Sequence, residues 1–185
     1  MKTVLFLCVA TVVTWIVLEL VYARTKDADI SARFIERSGY IPSRIPAEAI
    51  LGKYTFKTWL DDQAKAGTRA TYMVPVVFPL DYVFLFVLGL FLGTLSVFAA
   101  GQLVFLRSIP IWLWWLFPAL YITSDFLEDS ILVGLFSARL PFGDFVFGAL
   151  RTLTKAKIAT VSIAIGQAGF LSALWCLLHL YPAER

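Results

Sequence analysis

The stretch YVFLFVLGLFLGTLSVFAAGQLVFL, residues 82–106, contains 25 residues and no charged side chain. The hydrocarbon core of a bilayer is about 30 Å thick, and a helix that rises 1.5 Å per residue needs about 20 residues to cross it. Backbone amides in lipid must be satisfied within the segment, which favours a helix. The stretch therefore predicts a transmembrane helix.

Three other stretches have the same character, and we predict spans at about residues 4–22, 80–106, 111–136 and 158–181. The composition agrees, since 59% of the residues are hydrophobic, 16% are charged and the mean hydropathy is +0.79. A soluble domain carries about 25% charged residues. The predicted fold class is an all-α membrane protein, a four-transmembrane-helix bundle that forms a single domain over residues 1–185.

The N-terminal span also has some features of a cleaved signal peptide. A basic residue precedes an apolar run, and small residues follow near Ala23. The apolar run is longer than a usual signal core, and Glu19 lies close to the would-be cleavage site. We therefore favour an uncleaved first helix.

The polar loop 24–79 contains two segments with apolar residues at helical spacing, 27–37 and about 46–67. We predict short amphipathic helices for both. Such helices either lie in the headgroup layer, with Phe56 and Trp59 as interface anchors, or cap the bundle. Both interpretations remain open at this point.

The distribution of Lys and Arg predicts an orientation. The first and third loops, which lie on one side of the membrane, carry 13 of the 16 basic residues. The positive-inside rule places both loops in the cytoplasm and both termini outside, in a plasma or inner membrane. The net charge of +3 is too balanced to suggest a nucleic acid, so the expected partners are membrane lipids and, through helix contacts, a homo-oligomer or a larger membrane complex.

Small residues and aromatic residues predict how the helices pack. Gly89 and Gly93 form a GxxxG pattern in the second span, and Ala100 and Gly101 extend this small face. The fourth span carries a similar set, namely Ser162, Gly166 and Gly169 with Ala164, Ala168 and Ser172. Small residues let helix backbones approach closely in lipid, and we expect intramolecular packing from both sets. Aromatic residues should form an interfacial belt at the start of the third span and the end of the fourth, namely Trp112, Trp114, Trp115, Trp175, His179 and Tyr181.

The third span carries three carboxylates. Asp125, Glu128 and Asp129 stand at positions i, i+3 and i+4, so they share one helical face, and Tyr121 lies one turn earlier on it. If the helix ends near Phe136, Asp125 lies about 16 Å and Asp129 about 10 Å from that end. Charges at such depth are costly in lipid and should face the bundle interior or a wet cavity.

The topology brings further ionisable residues to the same half of the membrane. Glu19 ends the first span there, Asp81 begins the second, and Lys155 and Lys157 begin the fourth. We expect Asp81, the three carboxylates of the third span and one of the two lysines to approach one another.

Three functions are compatible with this polar cluster. In a structural or accessory role, a lysine neutralises the acids and fixes helix assembly. In proton- or cation-coupled transport, the carboxylates form part of a relay. In an intramembrane lipid-binding protein or metal-dependent enzyme, they hold a divalent cation. No sequence motif identifies a cofactor, a metal site or catalytic residues.

Three local patterns together carry a resemblance to known proteins. They are Phe78-Pro-Leu-Asp81-Tyr82, Asp125-x-x-Glu128-Asp129 and Thr154-Lys-Ala-Lys157. The chain resembles small uncharacterised bacterial four-helix membrane proteins in which an Asp-x-x-Glu-Asn run is followed by a lysine at the next helix start. Asp129 stands here in place of that asparagine. The resemblance implies that the polar positions belong together, and it carries no activity.

Overall fold

The computed structural model describes residues 1–24 and 52–180, and these ranges contain helices and turns without a β-strand. The all-α fold class is therefore confirmed. The predicted helix at 27–37 lies outside the described residues. The helices are α1 (Lys2–Arg24), α2 (Lys53–Asp61), α3 (Ala66–Thr71), α4 (Tyr82–Gln102), α5 (Ile111–Phe136) and α6 (Asp144–Leu180).

The segment that leads into α4, Tyr72–Asp81, is irregular. It contains Pro75 and Pro79, and the residues before them, Val74 and Phe78, have extended backbone angles. A proline disfavours helical angles in the residue before it, which explains both interruptions. The regular helix α4 begins directly after this segment, so Asp81 lies at its N-terminus.

Helices α4, α5 and α6 pack against one another, and α1 packs mainly against α4 and the irregular segment. Leu18 is the only buried residue among those of α1 whose burial the structure describes. Most of the α1 surface is apolar and exposed, including Leu5, Phe6 and Trp15. Such a surface is ordinary against lipid, whereas a soluble monomer rarely exposes so large an apolar area.

Three described stretches have the length and hydropathy to cross a membrane: Lys2–Val21, Gln63–Gln102 and Asp144–His179. Helix α5 is not among them, although its 26 residues end at Phe136 as predicted. Its three carboxylates and three tryptophans lower the hydropathy of every window long enough to span a membrane. The finding supports a membrane location through three apolar helices.

The last helix begins earlier than predicted. The predicted span started at residue 158, but α6 starts at Asp144 and runs for 37 residues, about 55 Å at 1.5 Å per residue. The third loop is correspondingly short, at residues 137–143. Lys155 and Lys157 therefore lie well inside a continuous helix and not at its start.

Close packing of α4 on α5 depends on glycine. Gly89 lies against Ile122, and Gly93 lies against the ring of Trp115, so that a Cβ atom at either position would overlap the neighbouring side chain. The intramolecular role expected for these glycines is therefore observed. The small residues of α6 fall into two sets, and one of them packs as predicted. Ser162, Gly166 and Gly169 are exposed, while Ala164 and Ala168 face α4.

The loop-side end of the bundle is capped by α2. Phe56 is 1% exposed, and its ring packs against those of Trp59, Phe142 and Phe147. An ion pair between Lys53 and Asp144 joins the starts of α2 and α6. A residue as buried as Phe56 does not anchor the chain in headgroups, so the capping interpretation applies to α2.

The opposite end holds Trp114, Trp175 and His179, whereas Tyr181 of the expected belt lies outside the described residues. Trp114 and Trp175 pack on the small cluster around Leu171, and the ring of Trp175 contacts those of Phe98 and His179. Gln167 of α6 donates a hydrogen bond to the Trp114 carbonyl oxygen at 2.9 Å, which ties the end of α6 to the start of α5.

Candidate polar site between the fifth and sixth helices

The three carboxylates of α5 point into the protein. Their spacing places them on one helical face, and Asp125, Glu128 and Asp129 are each 2% exposed. On the facing helix, Thr154 and Lys157 are three residues apart and share a face in the same way. Because α5 and α6 pack along each other, these two polar faces meet.

Lys157 forms the electrostatic centre of the site. Its Nζ lies 2.7 Å from Asp125 Oδ1 and 3.2 Å from Glu128 Oε2, with the lysine side chain 15% exposed. One ammonium group therefore bridges two carboxylates on successive turns of α5. In a low-dielectric interior, such pairing offsets part of the cost of removing three charges from water.

Two hydroxyl groups extend the network. The Thr154 hydroxyl lies within hydrogen-bonding distance of both Glu128 Oε1 and the Leu150 carbonyl oxygen. It carries a single proton, so it donates to one of them at a time. Tyr121, 3% exposed, lies one turn before Asp125 on the same face of α5, close enough for the two side chains to interact.

Asp81 approaches the site from the N-terminus of α4. It is 9% exposed, and its charge lies close enough to that of Asp129 for the two to interact. Contacts from α4 to α5 fix this approach: Tyr82 packs on Phe126, and its hydroxyl lies 3.5 Å from Ser130 Oγ. The site thus receives side chains from the start of α4, from α5 and from α6.

The remaining predicted residues do not share this environment. Lys155 is exposed, so Lys157 is the lysine that reaches the carboxylates. Glu19 is also exposed, near the end of α1, and it does not belong to the buried set. The helical spacing explains why the two lysines differ, because residues two apart on a helix face in different directions.

Thr154, which the resemblance grouped with the other polar positions, is 1% exposed and lies within hydrogen-bonding distance of Glu128. Its spacing of three residues from Lys157 places both residues on one face of α6.

Arg69 is a buried residue that the sequence did not predict. It donates hydrogen bonds to the carbonyl oxygens of Trp59 and Asp62, and so holds the chain between α2 and α3.

Asp129 differs from the other two carboxylates of α5. Its Oδ2 atom is buried without a hydrogen-bond partner in the described part of the chain, and no ion pair there includes it. Its electrostatic neighbours are Asp81, Asp125, Glu128 and Lys157. Three of those four carry the same charge as an ionised Asp129, which makes ionisation costly at this position.

Metal binding has a simple geometric requirement, namely several side-chain donors around one point. Within residues 1–24 and 52–180, no group of three or more His, Cys, Asp or Glu side chains is arranged to hold a metal ion. Cys8 and Cys176 are free and lie on different helices.

A scan of protein-family models and searches of curated proteins and solved structures found no match to this chain.

Proposed function

We propose that the chain is an integral multipass membrane protein with four spans, α1, α4, α5 and α6, and a structural or accessory role. The packing of α5 supports its assignment as a membrane span, which brings the number of spans to four. It lies against both α4 and α6, which are apolar enough to cross a membrane, and it turns its carboxylates away from lipid. At 26 residues it is long enough to cross beside them.

The observation that carries the structural role is the ion-paired position of Lys157 between Asp125 and Glu128. Lipid gives helices no hydrophobic drive to associate, so packing and polar contacts determine which faces meet. A buried lysine between two carboxylates satisfies its charge only when α5 and α6 adopt this register. The network therefore supports a role in specifying the assembly of the bundle.

An accessory role needs a surface for another helix, and α6 supports one. Ser162, Gly166 and Gly169 are exposed on α6, and an added Cβ atom at either glycine would meet no atom within 4 Å. Small residues on a lipid-facing helix permit close approach of a partner. This surface suits a homo-oligomer or a larger membrane complex.

For orientation, we propose that the first and third loops face the cytoplasm and the termini face outward in a plasma or inner membrane. The support is the excess of Lys and Arg in the first loop, together with Arg139 of the third loop and the basic residues in the loop-side part of α6. Two cysteine variants test both the span count and the sidedness, in a background in which Cys8 and Cys176 are replaced by alanine. Ser108→Cys lies in the hairpin between α4 and α5, and Asp144→Cys lies at the start of α6; both positions are exposed.

We expect a membrane-impermeant maleimide to label Ser108→Cys in intact cells and Asp144→Cys only after permeabilisation. The physical reason is that α5 separates the two positions by one crossing. Labelling of both variants from the same side would contradict α5 as a span. Labelling with the opposite sidedness would leave the four spans intact and reverse the orientation.

Glu128→Gln tests the structural role. The substitution keeps the side-chain shape but removes the charge that pairs with Lys157, and we expect a loss of about 1–3 kcal/mol of stability. The measurement is the fraction of monodisperse protein that survives heating in detergent. Asp61→Asn is the control, because it removes an exposed ion pair with Lys57 and should change little.

Proton- or cation-coupled transport is the second candidate, favoured by one observation, the unpartnered Asp129 Oδ2. If this function holds, Glu128→Gln protein keeps its thermal stability and loses proton or cation flux in liposomes. Loss of stability with unchanged flux favours the structural role instead. No observation in the described residues favours a lipid-binding or metal-dependent enzyme over these two.

A further inference from the structure

The side chain of Asp129 lacks the compensation that its neighbours have. Asp125 and Glu128 share the ammonium group of Lys157, at 2.7 and 3.2 Å, and Glu128 also lies beside the Thr154 hydroxyl. Asp129 is as buried as they are, at 2% exposure, yet its Oδ2 has no hydrogen-bond donor in the described part of the chain. The three carboxylates therefore occupy the same face in two different electrostatic states.

Most of the charged neighbours of Asp129 disfavour a negative charge on its carboxyl group. Asp81 faces it from the start of α4, and Asp125 and Glu128 flank it on α5. Among the described residues, the cation in electrostatic range is Lys157 of α6, which is already in contact with Asp125 and Glu128. An ionised carboxylate without a partner is expensive to bury, and such a group is normally neutralised.

Neutralisation requires either a cation or a proton. A metal ion needs several oxygen ligands around one point, typically six to eight for Ca²⁺. The described residues provide no group of three carboxylate, histidine or cysteine side chains in such an arrangement. A proton needs only a single carboxyl oxygen. Its binding removes the negative charge of Asp129, so the carboxyl group no longer needs a cation beside it.

We propose that Asp129 is a proton-binding site and holds a proton at neutral pH. The proton comes from a hydronium ion in the aqueous phase: one O–H bond of that ion breaks, one O–H bond forms on the carboxylate, and a water molecule remains. The site lies about 10 Å from the end of α5, which makes the side of the first and third loops the nearer source of protons. A fixed structural proton and an exchanging relay proton both satisfy this proposal, so it extends the proposed function without depending on transport.

Infrared difference spectroscopy of the full-length protein in liposomes tests the proposal. The expected result at neutral pH is a carbonyl stretching band from a protonated carboxyl group that disappears in Asp129→Asn. Asp144→Asn serves as the matched control, because it removes an exposed aspartate and should leave the band unchanged. Absence of the band from the unmodified protein, or its survival in Asp129→Asn, would overturn the proposal.

A second measurement needs no variant and so does not depend on folding of a mutant. The O–H group of a protonated carboxyl adds across a C=N bond of a hydrophobic carbodiimide. The carboxyl oxygen bonds to the carbodiimide carbon, the proton moves to nitrogen as the C=N bond becomes a single bond, and the label stays attached with no leaving group. We expect peptide mass spectrometry to find the label on Asp129. Labelling of Asp125 or Glu128 in its place would show that the proton lies elsewhere. Protection of Asp129 by added Na⁺ at constant pH would identify a cation site and overturn the proposal.

Discussion

Replacing Lys157 with methionine is expected to lower the free energy of unfolding by about 3–5 kcal/mol, the cost typical of breaking a buried ion pair by removing one partner. Methionine has a similar length and fills the same space, so the stability lost in this variant reports the effect of removing the charge alone. Without the ammonium group, Asp125 and Glu128 face each other as two buried carboxylates on adjacent turns of α5. Their repulsion acts in a region where water cannot screen it.

The measurement is thermal or denaturant unfolding of the purified protein in detergent. The fraction of protein that stays monodisperse reports how much remains folded. Lys155→Met is the matched control, since Lys155 lies two residues away on the exposed side of the same helix. We expect it to unfold like the unmodified protein. Equal destabilisation by both variants would show that loss of any lysine in this part of α6 lowers stability. The ion pair of Lys157 would then not be the cause of the effect.

The triple variant Lys157→Met, Asp125→Asn, Glu128→Gln separates the charge from the contacts. It puts neutral side chains of nearly the same volume at these three positions, and a buried ion pair can often be replaced by neutral groups with little loss. We expect most of the stability lost in Lys157→Met to return. A triple variant as unstable as the single one would contradict uncompensated charge as the cause.

The residues of α5 show what the sequence alone could predict about the site. A helical period of 3.6 puts Asp125, Glu128 and Asp129 on one face, and the cost of charge in lipid directs that face inward. Both arguments are local, and the burial of all three agrees with them. The choice of Lys157 over Lys155 was not predicted, because it depends on the rotation of α6 about its own axis.

The start of α6 illustrates a different limit. Residues 144–157 contain polar and basic side chains, so a hydropathy window places the span after them. The chain nevertheless continues as one helix, because Phe147 and Leu150 pack into the loop-side cluster beneath α2. Tertiary packing therefore decides where this helix begins, and hydropathy indicates only the part of it that can lie in lipid.

The glycines illustrate the same distinction. A small residue indicates that close approach is permitted but not which helix approaches. Gly93 of α4 meets the Trp115 ring, whereas Gly166 of α6 faces outward with no atom near its Cβ position. The sequence predicted the same role for both, and only the arrangement of α4, α5 and α6 separates them.

The second large effect is expected at the contact between α4 and α5. Gly93→Leu places a four-carbon side chain where even a Cβ atom would overlap the Trp115 ring. Overfilling a packed interface typically costs about 1–3 kcal/mol and occasionally more, and we expect the upper end because the obstacle is a rigid indole. The measurement is again unfolding in detergent, together with the yield of protein extracted from membranes.

Gly101→Leu is the control for this substitution, since it adds the same side chain to the same helix at a position with no atom within 4 Å of the added Cβ. Removing a glycine from a helix is itself favourable by about 0.5–1 kcal/mol, so this control should be neutral or slightly stabilising. Trp115→Leu provides the complementary check. In that background Gly93→Leu should cost less, because the ring that it overlaps is gone. An unchanged cost would place the steric conflict somewhere other than the Trp115 contact, and the close approach of α4 to α5 would then not depend on Gly93.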